Sequence, residues 1–185
     1  MTLYINCCLR KESRTNRLAK AVLQKLGGDY AELKLYEENL RPLDSENLNK
    51  RTALIEQGDF GDKIFDYAKQ FAAADTIVIG APYWDLSFPA PFKTYIENIY
   101  VTGVVSEYDE KGMPRGLCKA ERLYYVTTAG GPYDPTYSYG YIESLCKNFF
   151  GIPDTRLIKA EMLDIAGNDA EQILISEIDR ILAEK

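Results

Sequence analysis

Three short stretches of this chain concentrate the residue types that hold phosphates and flat rings. They are Cys7-Cys8-Leu9-Arg10-Lys11-Glu12-Ser13-Arg14-Thr15-Asn16, Gly80-Ala81-Pro82-Tyr83-Trp84-Asp85-Leu86-Ser87-Phe88-Pro89 and Thr127-Thr128-Ala129-Gly130-Gly131-Pro132-Tyr133. In the first, the hydroxyls of Ser13 and Thr15, the N–H groups of Arg14 to Asn16 and the Arg14 guanidinium can cradle a terminal phosphate if a helix starts there. A helix N-terminus offers unpaired donors and the positive end of a dipole. A plain capping role for Ser13 accounts for that residue equally well. The stretch is neither a GxxxxGK loop nor a GxGxxG turn. The second stretch carries the single tryptophan together with Tyr83 and Phe88, which suits a flat ring or a packed hydrophobic corner. The third ends in paired glycines, which let a backbone come close to a ligand and aim N–H groups at it. A tight turn would use them too.

What the chain lacks is equally informative. It has no histidine, which excludes Ser-His-Asp and Cys-His catalysis, histidine-ligated metal and an imidazole acid near neutral pH. Cys7, Cys8, Cys118 and Cys146 form no CxxC, so no metal site and no dithiol motif are expected. Subtracting 28 acidic from 22 basic residues leaves −6, and without a basic surplus a nucleic-acid partner is not expected. The longest apolar run, Thr76–Trp84, is far below the roughly 20 residues of a bilayer span. Met1–Cys8 is followed rather than preceded by basic residues, unlike a secretory signal. No membrane partner is expected, and reduced thiols in the cytoplasm are.

The elements that must position the three stretches alternate along the chain. Thr2–Cys7 reads as a buried strand. Ser13–Leu26 follows as a helix ending at Gly27-Gly28, then Tyr30–Tyr36 as a strand near a sheet edge. Polar residues fill Glu37–Asn49. A second helix carries Ile64, Phe65, Ala68, Phe71 and Ala72 on one face, and Thr76–Gly80 is the central strand. A helix after Pro89, a strand Arg122–Thr128, a helix Ile142–Phe150, a strand Thr155–Met162 and a helix Asp169–Ala183 complete the pattern. Five strand–helix alternations in 185 residues predict one α/β domain with a doubly wound, flavodoxin-like parallel sheet in the order 2-1-3-4-5 and helices on both faces. Ligands of such sheets bind beyond the carboxyl ends of the strands. All three stretches fall there.

The residues now support a comparison. The run Ala81-Pro82-Tyr83-Trp84-Asp85-Leu86-Ser87-Phe88-Pro89-Ala90-Pro91-Phe92-Lys93, the segment Gly103-Val104 through Tyr108 to Gly112 and Gly116-Leu117, and Val126-Thr127-Thr128-Ala129-Gly130-Gly131 resemble the flavodoxin-like NAD(P)H dehydrogenase (quinone) family, the FMN-dependent NAD(P)H:quinone oxidoreductases and azoreductases. The resemblance spans nearly the whole chain. It implies that Ser13, Arg14, Thr15 and Asn16 hold the FMN phosphate. Pro82, Tyr83, Trp84, Asp85 and Leu86 would then line the ring, and Thr128, Ala129, Gly130, Gly131 and Tyr133 its pyrimidine end. Cys7 stands where the family often has serine, Ser106 replaces an aromatic, Ala129 a frequent arginine, and Tyr133 falls near a frequent histidine.

The implied activity is hydride transfer from NADH or NADPH through FMN to quinones, azo compounds or similar small acceptors, with the cofactor supplying the reactivity. No side-chain acid is obligatory. Tyr133 and Tyr108 are the residues placed to assist, against an ordinary phenol pKa near 10. The segment Val101–Arg115 lacks a helical period and turns at Glu110-Lys111-Gly112. In the related enzymes such an excursion covers a partner's flavin, which implies a homodimer. Two other readings remain at this stage: a flavodoxin-type carrier passing electrons to a protein, and a binding domain without FMN.

Overall fold

The computed structural model describes residues 1–183. Five strands form one parallel sheet: β1 (Thr2–Asn6), β2 (Tyr30–Lys34), β3 (Thr76–Gly80), β6 (Arg122–Thr128) and β7 (Asp154–Ala160), in the order β2-β1-β3-β6-β7. Counting only these five, that is the expected order 2-1-3-4-5. β1 pairs in register with β2 and β3, Thr2 lying opposite both Tyr30 and Thr76. In the central β3, Ile77, Val78 and Ile79 are all buried, so the strand meets apolar layers on both faces.

Helices α1 (Arg14–Leu26) and α6 (Ala170–Ala183) cover one face. The other carries α3 (Asp66–Ala73), α4 (Ala90–Ile99) and α5 (Tyr139–Leu145). The first layer centres on Tyr4, Leu18, Val22, Val78 and Leu174. The second, larger layer holds Phe65, Phe71, Phe92, Tyr95 and Phe150. Each fully buried side chain of this size contributes about 1.5–3 kcal/mol.

Two elements differ from expectation. The polar stretch Glu37–Asn49, where no element was expected, runs into a helix, α2 (Ser45–Glu56), whose start is capped by the Asp44 carboxylate accepting from Asn47 N–H at 2.8 Å. It buries no residue, so its sequence has no apolar stripe to announce it. The helix expected over Ile142–Phe150 begins earlier, at Tyr139. After Leu145 it widens into a π-helical turn, Cys146–Phe150, closed by Gly151 N–H donating to the Cys146 carbonyl at 2.9 Å.

The excursion after α4 is a two-stranded antiparallel hairpin, β4 (Ser106–Tyr108) and β5 (Pro114–Gly116), with Tyr108 opposite Pro114. Asp109 holds the turn, its carboxylate accepting from the N–H groups of Lys111 and Met113 at 2.8 Å. The base of the hairpin packs on the π-helical turn, Cys118 N–H bonding the Phe150 carbonyl at 3.2 Å. It sits at the edge where the parallel strands begin. The three singled-out stretches lie at the opposite edge.

Candidate functional site

At the carboxyl edge of the sheet lies a cavity of about 360 Å³, bounded by the loops after β1, β3, β6 and β7. Of the residues expected there, Ser13, Arg14, Thr15, Pro82, Tyr83, Trp84, Thr128, Ala129 and Gly130 line it. Asn16, Asp85, Leu86, Gly131 and Tyr133 are close in the chain but do not. Leu9, Arg10, Glu12, Leu163 and Asp164 line it as well.

The first loop ends in the N-terminus of α1. Ser13 caps it, its hydroxyl accepting from Asn16 N–H at 3.2 Å, so the capping role is real. The donors of the first turn are what remain. Among the described residues nothing pairs the N–H groups of Arg14 and Thr15, as expected for the first positions of a helix. The turn holds no acidic residue, and Arg14 at its start opposes the helix dipole by a few tenths of a kcal/mol. An anion at this point would offset that cost. Arg14 also reaches across the cavity mouth to Asp164 at 2.7 Å, a half-exposed pair worth at most about 1 kcal/mol. Thr15 is buried and shares a 2.6 Å hydroxyl contact with Thr128, tying the first loop to the third. The Asn16 side chain is turned inward, its Oδ1 accepting from the Tyr4 hydroxyl at 2.8 Å. Cys7 is fully buried in the core, where desolvation pushes its thiol well up. The Cys8 thiol is pushed up to about 11 for the same reason. Neither is a nucleophile poised at neutral pH.

The second loop is a tight two-residue hairpin. Trp84 and Ser87 exchange N–H···O bonds of 3.0 and 2.8 Å, leaving Asp85 (φ 50°) and Leu86 (φ 66°) in the left-handed region. That is the hand a two-residue turn needs. A leucine there, 59% exposed, carries a strain of about 1–2 kcal/mol. Replacing Leu86 with glycine makes the Asp-Gly pair such turns favour. It should raise the melting temperature by roughly 2–4 °C for a gain of about 1 kcal/mol. A lower melting temperature would mean that the leucine side chain contributes more than its backbone strain costs.

The third loop is pinned from one side. The N–H groups of Met162, Leu163 and Asp164 take the carbonyls of Gly131, Ala129 and Gly130 at 3.1, 3.2 and 2.8 Å. Among the described residues the N–H groups of Gly130 and Gly131 are left unpaired. A Cβ on Gly130 would run into the Asp164 carboxylate, whereas one on Gly131 would meet nothing within 4 Å and Gly131 has no positive φ. The close approach thus belongs to Gly130. Tyr133 is buried: its ring packs edge-on against Tyr83 at 4.7 Å and its hydroxyl pairs with Ser138 at 2.8 Å. Burial raises its pKa, which makes it a poorer proton donor than a free phenol. Tyr108, on the hairpin, is half-exposed at the far edge of the sheet.

These features fit FMN. The cavity is lined by the unpaired N–H donors at the start of α1 with the Arg14 side chain, by Tyr83 and Trp84, and by Gly130, whose N–H is also unpaired among the described residues. Leu163 and Asp164 escaped notice in the sequence because their loop has neither glycine pairs nor aromatics. The rule that ligands lie beyond the carboxyl ends of the strands points to it all the same.

A parallel five-stranded sheet in this order, with its cavity at the strand ends, defines a flavodoxin-like protein. The chain belongs to that family: the family described as "Flavodoxin-like fold" matches residues 1–184. The "FMN-dependent NADH:quinone oxidoreductase 2" of Clostridium acetobutylicum is 36% identical over 192 residues, covering 96% of this chain and 94% of that protein. Among solved structures, an azoreductase from Bacillus anthracis superposes with a TM-score of 0.82 at 23% identity, covering 98% of this chain and 96% of that one. A FMN-dependent NADH-azoreductase from the same species, in complex with FMN, gives 0.79 at 21% identity, covering 98% and 95%.

Proposed function

We propose that this chain is an FMN-dependent NAD(P)H oxidoreductase acting on quinones, azo compounds or similar small acceptors. The observation that carries the reading is one cavity lined by Arg14 and Thr15 at the start of α1, by Tyr83 and Trp84, and by Gly130, in which, among the described residues, the N–H groups of Arg14, Thr15 and Gly130 are unpaired. Its 36% identical relative is named for FMN, NADH and quinone.

FMN held in this cavity would supply the hydride-transfer chemistry between the nicotinamide and the acceptor. The chain's own residues bind and orient. The start of α1 and Arg14 hold the phosphate by charge-assisted bonds. The Gly130 and Gly131 N–H groups favour negative charge at the pyrimidine end. Pro82, Tyr83 and Trp84 wall the ring and exclude water.

The test is colour. The purified protein should be yellow, bleach with NADH or NADPH, and recolour with a quinone. A yellow protein that neither nucleotide bleaches would be an electron carrier, and a colourless one that takes up no FMN would be a binding domain. Tyr133 holds its proton within a buried pair, so Tyr133→Phe should leave turnover within about fivefold of wild type. Loss of an acid catalyst would cost roughly 100-fold or more.

Assembly belongs to the same reading. Phe88, Tyr100, Tyr141 and Phe149 line apolar grooves along α4 and α5, and Tyr137 beside them is 64% exposed. α4 has ten residues and is therefore about 15 Å long, with the cavity near its start and the hairpin near its end. A twofold dimer over this face runs the two α4 helices antiparallel and carries Tyr108 toward the partner's cavity. Sedimentation of a fully active monomer at assay dilution would overturn this arrangement.

A further inference from the structure

Glu161, the first residue after β7, has no role in the site as read from the sequence, and it does not line the cavity. Its carboxylate nevertheless touches the loop that does. One oxygen accepts from the backbone N–H of Tyr133 at 2.8 Å. The other is held by the Lys159 ammonium, which lies 5.8 Å from the centre of the Tyr133 ring. The residues after Glu161 take the three carbonyls of Ala129 to Gly131. With Pro132 lacking an N–H, the bond at Tyr133 closes the far end of the loop. Every backbone group from Ala129 to Tyr133 that the protein pairs on this side is therefore paired by residues 160 to 164, and the donors left over are Gly130 N–H and Gly131 N–H. Met162 adopts φ 64° to make this possible, and its carbonyl is held by the Asn168 side chain at 2.8 Å. A non-glycine residue is kept in that conformation only where its surroundings over-determine it.

We propose that Glu161 is a positioning residue for the cofactor's pyrimidine end. By clamping Tyr133 N–H it presents the Gly130 and Gly131 N–H groups as fixed donors, and so tunes how strongly the protein prefers reduced over oxidised FMN. This rests on the FMN reading above. Donors fixed at that end interact more strongly with the cofactor once reduction has added negative charge to it. Loosening them should weaken binding of the reduced form more than that of the oxidised form. Lys159 keeps the carboxylate in place without competing for the Tyr133 N–H, since an ammonium only donates.

The experiment compares wild type with Glu161→Ala and Glu161→Gln in three measurements: the melting temperature of the apoprotein, the dissociation constant of oxidised FMN, and the midpoint potential of the bound flavin. Glutamine retains an acceptor for Tyr133 N–H; alanine does not. Glu161→Ala should bind oxidised FMN about tenfold more weakly, in line with loss of one charge-assisted bond. Its potential should fall below that of wild type, and Glu161→Gln should restore both values most of the way. A potential unchanged in Glu161→Ala would overturn the proposal, whether or not affinity falls, because a merely structural role would weaken both forms alike. Equal damage in Glu161→Gln would overturn it too. If Glu161→Ala does not fold, Glu161→Asp, one methylene too short to span the gap, is judged by the same two readouts. Failure of the wild-type protein to bind FMN at all would instead remove the functional reading itself.

Discussion

Thr15→Glu should emerge from purification folded and colourless. Thr15 is buried at the start of α1, beside two unpaired N–H groups, with its hydroxyl 2.6 Å from that of Thr128. A carboxylate in its place points into a site organised for an anion. At 4 Å and an effective dielectric constant near 20, each pair of unit charges repels by about 4 kcal/mol. Against a phosphate dianion, even half of that lowers affinity by roughly a thousandfold. Thr15→Val separates charge from shape. It loses the hydroxyl contact with Thr128 but adds no charge, and should weaken FMN by only about tenfold. The check is flavin absorbance per chain together with circular dichroism of the apoprotein. Stoichiometric FMN in Thr15→Glu would remove the start of α1 as the phosphate site.

Gly116→Ala should be strongly destabilising although it adds a single methyl group. A Cβ at Gly116 would land among the backbone atoms of Phe150 and Gly151, which cannot turn aside as a side chain can. Overpacking of this kind costs about 3 kcal/mol or more where backbone must shift. In a chain of this length that lowers the melting temperature by roughly 6–12 °C. The consequence for function is specific. Gly116 seats the base of the β4–β5 hairpin on the π-helical turn, at the edge away from the cavity, so FMN affinity should stay within about threefold of wild type. What should change is assembly. With the hairpin displaced, Tyr108 loses its placement, the proposed dimer should dissociate at higher concentration, and turnover with bulky acceptors should fall. Scanning calorimetry and sedimentation velocity check both halves. A melting temperature within about 2 °C of wild type would show that the hairpin base relaxes at little cost.

Much of this was legible without coordinates. The apolar runs Thr2–Cys7, Thr76–Gly80 and Arg122–Thr128 appear as buried strands because a strand covered on both faces needs side chains that all prefer the interior. The helix from Ser13 announces itself by a capping hydroxyl, a one-sided row of Leu18, Val22 and Leu23, and Gly27-Gly28 at its end. Handedness and crossover rules then leave few ways to order five parallel strands, and the order alone puts three unusual loops at one edge. The missing histidine, a fact of composition, had already turned the chemistry toward a cofactor.

Other features existed only in three dimensions. α2 was hidden because it meets the core only through the half-buried Leu54 and Ile55 and has no fully buried residue, which leaves its periodic pattern weak. The capping carboxylate of Asp44 was its only local mark. That Gly130 rather than Gly131 is the constrained glycine depends on Asp164, more than thirty residues away, pressing against it. Asn16 and Tyr133, adjacent in sequence to the binding loops, turn their polar atoms to Tyr4 and Ser138, since a buried polar group must find a partner wherever the fold offers one. Glu161 became visible only through its bond to Tyr133. Local patterning specifies which segments are strands and helices, because burial on one face or two is written into residue periodicity. Which side chains meet across loops is set by the closing of the sheet, because contacts between residues far apart in sequence leave no periodic trace in either partner.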